Sequence, residues 1–517
     1  MDLPDQAGTP VRPTARGGPD HSPGFIRALE REAKPRASEG GYSFYYSIIQ
    51  GFEEFSAETS GSISGLEAPD DRTLRVHLTH PAGDLGELFS LAATAPIPPS
   101  PADPSVPLGV ATGHDGGYGR FLVASGPYMI EGSEDLDFSL PPGQQRPLSG
   151  YVPQKSIALV RNPSWKATTD PLRPAYVDRI EVTLGEDLVE VSRKVDVGTL
   201  DLVMFAGPPP AAPEDQIQAY RTDPSKGRVD IQPRDFIRYI SINLAVPPFD
   251  DLHVRKAMNY ALDKAGVRRV RGSPFVGEII GHIALNSLER NLLLNYDPYG
   301  GPGQTGDPRA ARTEMTLSSY DRDGDGICDE AACKDVVALA FDVPFFRSMA
   351  KLMRRSLLEI GIDLDLQYFD PPVVFEKLFD RPQKVPLALT ISWGRDVLNA
   401  SNYFVPLFHS TALTDPNAGN ATLLGASPNQ LRSWGYSVTE VPSVDERIDA
   451  CLTKVGQAQL QCWVELDQYL MENVVPWVPY LSESHVQVIP ARIVAYSHDQ
   501  FGTLPALDRI ALREGGA

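Results

Sequence analysis

The sequence predicts a two-lobed α/β protein, and three observations carry the prediction. The first is size: 517 residues exceed what one hydrophobic core organises, while 42% hydrophobic residues suffice for two or three cores. The second is a β-α-β unit at 336–368. A short apolar run, 336–341, precedes Phe346, Met349, Met353, Leu357 and Ile360 at helical spacing; Gly361 ends the helix, and Ile362, Leu364, Leu366 and Tyr368 alternate as a strand. Such a crossover makes the two strands parallel neighbours in one sheet. The third is the stretch 239–264, where Ile240, Ile242 and Leu244 alternate, Pro247 and Pro248 stop the strand, and Asp250 or Asp251 can cap a helix bearing Val254, Met258, Ala261 and Leu262 on one side.

Charge and composition remove several function classes. Lys plus Arg number 47 against 67 Asp plus Glu, and a net charge of -20 disfavours a nucleic-acid backbone or an anionic membrane surface as partner. No stretch approaches the roughly 18 uninterrupted apolar residues of a membrane span. Residues 1–41 carry Pro4, Pro10, Pro13, Pro19, Pro23 and Pro35 without an apolar run, so no signal peptide is visible there.

Along the chain, Glu53-Glu54 reads as a solvated helix face, and Asp70-Asp71 as the turn before a strand through Leu74, Val76 and Leu78. Gly126-Pro127-Tyr128, the stretch 157–184, and a strand at 195–203 containing Gly198 and Asp201 follow in order. Together with the Asn243, Pro248-Phe249-Asp250-Asp251 and Val254-Arg255 segment, these resemble the extracytoplasmic solute-binding proteins that serve peptide and nickel ABC importers. The resemblance runs from about residue 40 to the end. It implies a periplasmic-binding-protein-like fold of type II, with hinge strands between the lobes and an extra subdomain in lobe one. The expected division is 1–150 for the remainder of lobe one with its subdomain, 151–245 for the lobe-one core, 246–485 for lobe two, and 486–517 for a return to lobe one. Gly8 to Ala15 and Phe25 to Leu29 resemble a segment that lies well inside the family's first lobe, so the family's N-terminal portion is expected to be absent. The resemblance further implies an extracytoplasmic monomer, without enzymatic activity, that captures a small peptide or similar solute and docks on an ABC permease.

In open α/β sheets ligands bind beyond the carboxyl ends of parallel strands, and Ser392-Trp393-Gly394-Arg395-Asp396 follows a third strand through Leu387, Leu389 and Ile391. Similar proteins carry a Gly-Trp-x-x-Asp stretch here whose Asp accepts the peptide α-ammonium; Ser392 replaces the Gly. Asp396 is thus the expected amine anchor, Trp393 an apolar wall, and Arg395 a further ligand contact; pairing of Asp396 with Arg395, or a turn cap, is the plain structural alternative. Catalytic patterns are absent: there is no G-x-x-x-x-G-K, G-x-S-x-G or H-E-x-x-H, and His77 and His80 lack a third ligand. A calcium-stabilised extracellular hydrolase and a truncated fragment that binds nothing remain as competing readings.

The sharpest short motif is 321–329. Asp321, Asp323 and Asp325 at positions one, three and five, Gly326 at six, the Ile327 carbonyl at seven and Asp329 at nine are what calcium takes from one loop. Position twelve is Ala332, so this is no full EF-hand; it is closer to the loops of thrombospondin type 3 repeats, and the expected calcium is structural, with no cofactor needed for activity. Cys328 and Cys333 can pin the loop. Cys451 and Cys462 would lie about 16 Å apart on one straight helix, but a helical hairpin turning near Gly456 brings them into disulfide reach. Buried free thiols are the alternative.

Overall fold

Periodicity along the chain resolves into three hydrophobic cores, two of them joined by a pair of long strands. The computed structural model describes residues 22–34, 42–97, 126–136, 146–185, 187–204, 212–272, 274–414, 419–500 and 502–513; the Gly8 to Ala15 motif lies outside them. The first elements are α1 (Ser22–Glu32), α2 (Phe52–Ser56), the antiparallel pair β1 (Leu66–Asp70) and β2 (Thr73–Val76), and the single turn α3 (Leu85–Leu88). Leu29, Tyr46, Phe52, Phe55 and Leu88 make their small core, completed by Val397 from far along the sequence. Glu53 and Glu54 are exposed on α2, as expected.

An antiparallel sheet follows, formed by β3 (Tyr128–Ile130), β4 (Tyr151–Val152), β5 (Ser156–Arg161) and β6 (Arg179–Thr183). Beyond it come α4 (Leu188–Asp196) and α5 (Glu214–Thr222). The strand expected at 195–203 does not form. Asp187 accepts the amides of Val189 and Glu190 and so starts a helix; Val191 and Val195, one turn apart, bury that helix's inner face, and Leu200 and Val203 join the same core as irregular chain.

The second half contains β7 (Gly227–Ile242), α6 (Leu252–Ala261), α7 (Lys264–Arg271), β8 (Gly277–Glu278), α8 (Pro308–Met315), β9 (Val336–Phe341), α9 (Pro344–Leu358), β10 (Leu364–Phe369), α10 (Pro371–Phe379), β11 (Leu387–Gly394), α11 (Ser401–Phe408), α12 (Pro428–Ser433), α13 (Asp445–Leu452), α14 (Gly456–Tyr469) and β12 (Trp477–Pro490). Its six-stranded sheet runs β10-β9-β11-β7-β12-β8. β9 is parallel to β10 and β11, confirming the crossover read from the sequence, whereas β7 is antiparallel to β11 and β12. Asp251 caps α6 through the amides of His253 and Val254. Val254, Met258 and Ala261 are buried in the large core with the inner faces of α9 and α14.

β7 and β12 pair from Ser241↔Trp477 to Gly227↔Pro490. Their inner halves lie in the large core, while Val229, Val486 and Val488 on the outer halves belong to the core of α4 and α5. β12 runs unbroken from Trp477 in the large core through residue 486, where the return to lobe one was expected to begin, to Pro490. Where the strands pass between cores, their register shifts at 479/481 and again at 482/484, and Asp235 adopts a φ of 58°. Glu483, wholly buried at this crossing, takes Arg234 at 2.8 Å, Arg238 at 2.5 Å and Arg271 at 3.0 Å. Burial alone would raise its pKa; the three guanidinium charges outweigh burial and hold the carboxyl well below the usual range.

Candidate ligand-binding site

β11 leaves the sheet at Gly394, next to the carboxyl end of β9, and the loop that follows carries the expected site residues. Trp393 is half-buried, and its indole Nε1 donates to the Asn402 carbonyl at 2.9 Å. Its ring lines a cavity of about 220 Å³ together with Tyr239, Phe375, Phe379, Leu407 and Gly419. A Cβ at Gly419 would come within 2.7 Å of Leu407 and 3.2 Å of the Trp393 ring, so the missing side chain keeps this space open. The cavity is apolar and aromatic, suited to a ligand side chain.

Asp396 is fixed from two sides. Its amide donates to Asn402 Oδ1 at 2.7 Å, while its Oδ2 accepts the Tyr45 hydroxyl at 2.8 Å and Asn402 Nδ2 at 3.2 Å. Asn402 thereby ties the carboxylate and the indole into one unit. Among the described residues no hydrogen bond reaches Asp396 Oδ1 and no cation lies within ion-pair distance. Burial accordingly pushes the Asp396 carboxyl up, and the two hydrogen bonds only partly offset it. The same loop docks on the N-terminal elements through Ser401, which donates to Asp84 at 2.5 Å, and through buried Val397. A wider cleft of about 630 Å³ opens between α3 and Leu398, lined also by Gly86, Glu87 and Ser90.

Arg395 goes elsewhere. Expected as a ligand contact, it instead buries its guanidinium against Asp235 at 2.6 Å, the two side chains being 4% and 2% exposed, and donates to the Gln500 carbonyl. It is a strut between the loop and the strand crossing. The alternative pairing of Asp396 with Arg395 is not formed. Tyr45, Asn402 and Asp235 were not anticipated; Tyr45 and Asp396 are 351 residues apart, a separation across which no local spacing signals contact.

At 321–329 the carboxylates of Asp321, Asp323 and Asp325 gather within 4.8 Å of one another. They accept their own loop's amides: Asp321 those of Gly324 and Gly326, Asp323 that of Asp325, Asp325 that of Ile327, while Asp329 accepts that of Arg322. Gly324 and Gly326 supply left-handed φ values of 75° and 86°. Cys328 and Cys333 form a disulfide with Cα atoms 6.2 Å apart, and Cys451 and Cys462 a second at 5.5 Å, which joins α13 to α14 as the hairpin reading requires.

A family model described as bacterial extracellular solute-binding proteins, family 5 Middle, matches residues 25–415. Heme-binding protein A of Haemophilus influenzae is 24% identical over 361 residues, which cover 68% of this chain and 56% of that relative, so the chain spans little more than half the length of this curated relative. Among solved structures, clavulanic acid biosynthesis oligopeptide binding protein 2 superposes with a TM-score of 0.73 at 23% identity, over 99% of this chain and 82% of that one. Haemophilus influenzae OppA, solved in complex with RPPGFSPFR, gives 0.65 at 14% identity over 96% of this chain and 85% of that one. These likenesses show a two-lobed type II fold.

Proposed function

The chain belongs to the family 5 bacterial extracellular solute-binding proteins, and from that premise we propose that it is the solute-binding component of an ABC importer, taking up oligopeptides or a similar small solute between its lobes and delivering it to a membrane permease. One observation carries the ligand class: Asp396, a half-buried carboxylate with no cationic partner among the described residues, held by Asn402 beside an aromatic cavity. A ligand ammonium supplies the missing charge, and a charge-assisted hydrogen bond of that kind is worth roughly 1.5 to 3 kcal/mol. The cavity beside Trp393 then receives the adjoining side chain, and extended main chain makes most of the remaining contacts, giving tolerance for sequence. Closure is a two-state equilibrium shifted by the ligand's preference for the closed form. The protein acts outside the cytoplasm as a monomer. Arg395 has no part in the contact because Asp235 holds it.

Calorimetry with a panel of short peptides, each free or N-acetylated, tests this reading. Free-amine peptides bind and acetylated ones are weakened at least tenfold; equal affinity for both forms removes Asp396 as amine anchor. Recovery of the peptides intact after incubation separates capture from hydrolysis. Calcium at Asp321, Asp323, Asp325, Asp329 and the Ile327 carbonyl is proposed as a structural addition, remote along the chain from this site.

A further inference from the structure

We propose that His282, Glu289 and Asp467 form a binding site for one divalent transition-metal ion of the zinc class, which fastens the segment after β8 to the last turn of α14. The three groups come from separate turns of chain and converge with their ligand atoms within 4.8 Å of one another. His282 Nδ1 lies 3.4 Å from Asp467 Oδ2 and 3.6 Å from Glu289 Oε2, and the side chains are 2%, 0% and 0% exposed.

The hydrogen bonds fix what each atom can do. His282 Nε2 lies 3.0 Å from Asn286 Oδ1 and donates to it, so in the neutral ring Nδ1 carries the lone pair. Asp467 is oriented by the amides of Ile283 and Ala284, at 2.9 Å and 2.7 Å. This is the outer shell that metal ligands have: an imidazole held through its other nitrogen, and a carboxylate held by backbone amides. The inner atoms, by contrast, face one another with nothing between them. His282 Nδ1 and both Glu289 oxygens are buried without a hydrogen-bond partner. Among the described residues no lysine or arginine lies within ion-pair distance of Glu289 or Asp467.

His282 Nδ1 lies close to both carboxylates but makes no hydrogen bond to either, and both Glu289 oxygens stay bare. A dication takes one ligand atom from each group, Nδ1, Asp467 Oδ2 and a Glu289 oxygen, and neutralises the carboxylates that the chain leaves without a cation. Tetrahedral zinc, with bonds of about 2.0 to 2.2 Å, sets ligand atoms roughly 3.3 to 3.6 Å apart, which brackets the two contacts of His282. The imidazole and the small number of donors disfavour calcium, which takes about 6 to 8 oxygens. The Asp321 loop, all oxygen, has a different donor set.

Protein produced in zinc-supplemented and in cobalt-supplemented medium, purified in excess calcium to hold the Asp321 loop constant, tests the proposal. Elemental analysis is expected to find one zinc or one cobalt per chain. The cobalt form is expected to show the strong visible absorption of a low-coordinate site with nitrogen and oxygen ligands. Glu289→Gln, which keeps shape and removes charge, is expected to lose the absorption and the stoichiometric metal, as is His282→Ala; Asp325→Asn is expected to keep both. Substoichiometric metal in the wild-type protein, or unchanged metal in folded Glu289→Gln, overturns the proposal. If both site variants fail to fold, wild-type stoichiometry and the cobalt spectrum decide it. A metal-free wild type made more stable by Glu289→Gln also overturns it, because the three groups then hold protons in place of a metal.

Discussion

Glu483 and Asp396 lie on either side of the same stretch of β7, one at its crossing with β12 and one on the loop that leaves β11. Glu483 has three guanidiniums, and these also lie over rings, Arg238 at 4.6 Å from Phe346 and Arg271 at 5.1 Å from Phe345. Asp396 has a tyrosine hydroxyl and an amide. The first carboxyl is pushed down in pKa and the second up. Burial is common to both, so the difference is the supply of positive charge. Where the chain provides the counter-charge, a buried carboxylate is structural; where it does not, something from outside can complete it. The crossing even has cation to excess, and burial lowers the pKa of Arg234 and Arg271 despite Glu483.

The largest expected effect tests the structural half. Glu483→Gln leaves three guanidiniums in one buried place, and breaking a buried charge network of this kind typically costs about 3 to 5 kcal/mol. Chemical denaturation should report a loss of that order; a loss below about 1 kcal/mol would mean that the arginines find other partners and that the contrast with Asp396 is not one of charge supply. Asp396→Asn should do the opposite. Affinity for free-amine peptides falls by about tenfold to a hundredfold, while the fold is kept. Calorimetry that finds unchanged affinity in a folded Asp396→Asn protein breaks the comparison from the other side.

How far each region was legible in the sequence follows from the same contrast. The β9-α9-β10 crossover was readable because Phe346, Met349, Met353 and Leu357 repeat at the period of a helix and every one is buried. The position of the Trp393 loop at the end of a strand was readable because Leu387, Leu389 and Ile391 alternate ahead of it, and all three are buried in β11. The crossing was not. Gly227 to Arg238 contains Arg228, Asp230, Pro233, Arg234, Asp235 and Arg238, which read as solvated chain, so the 16-residue β7 was recognised only at its apolar end. Arg234, Asp235 and Arg238 are drawn inward because their partners, Glu483 and Arg395, arrive from far along the sequence. The Glu289 cluster was illegible for the same reason: His282 and Glu289 lie near each other, but Asp467 comes from α14. At 195–203 the failure was local, since the Asp187 cap and the four-residue spacing of Val191 and Val195 already spelled a helix.

The Asp321 loop offers a third case, carboxylates answered by their own backbone amides and, for Asp323 and Asp325, open to solvent. Calcium at tenfold excess over a millimolar dissociation constant would add about 1.4 kcal/mol of stability. Melting curves with and without 10 mM calcium should therefore shift upward by about one to two degrees, and Asp325→Asn should abolish the shift. An unmoved curve counts against calcium and leaves peptide affinity untouched, since the loop takes no part in the Asp396 site.

The smallest effect is the most direct reading of the contrast, because it gives the two carboxylates opposite slopes against pH. Glu483 has a folded pKa below its unfolded value, so its contribution is in place above the unfolded value of about 4.3 and is lost as pH falls toward the folded one. Asp396 has a folded pKa above its unfolded value of about 3.9, so its ionisation opposes folding as pH rises through the folded value, and acidification relieves that cost. Asp396→Asn should consequently be slightly more stable than the wild type at pH 7, by less than about 1 kcal/mol given its partial exposure, with the difference vanishing near pH 4 as the wild-type carboxyl protonates. Ligand should reverse the sign at pH 7: with a saturating free-amine peptide the wild type becomes the more stable protein, because the ammonium supplies what Glu483 already receives from its arginines. Melting of both proteins at pH 4 and pH 7, with and without peptide, reads all of this. A stability difference that ignores pH would show that Asp396 is satisfied within the chain and is not waiting for a cation.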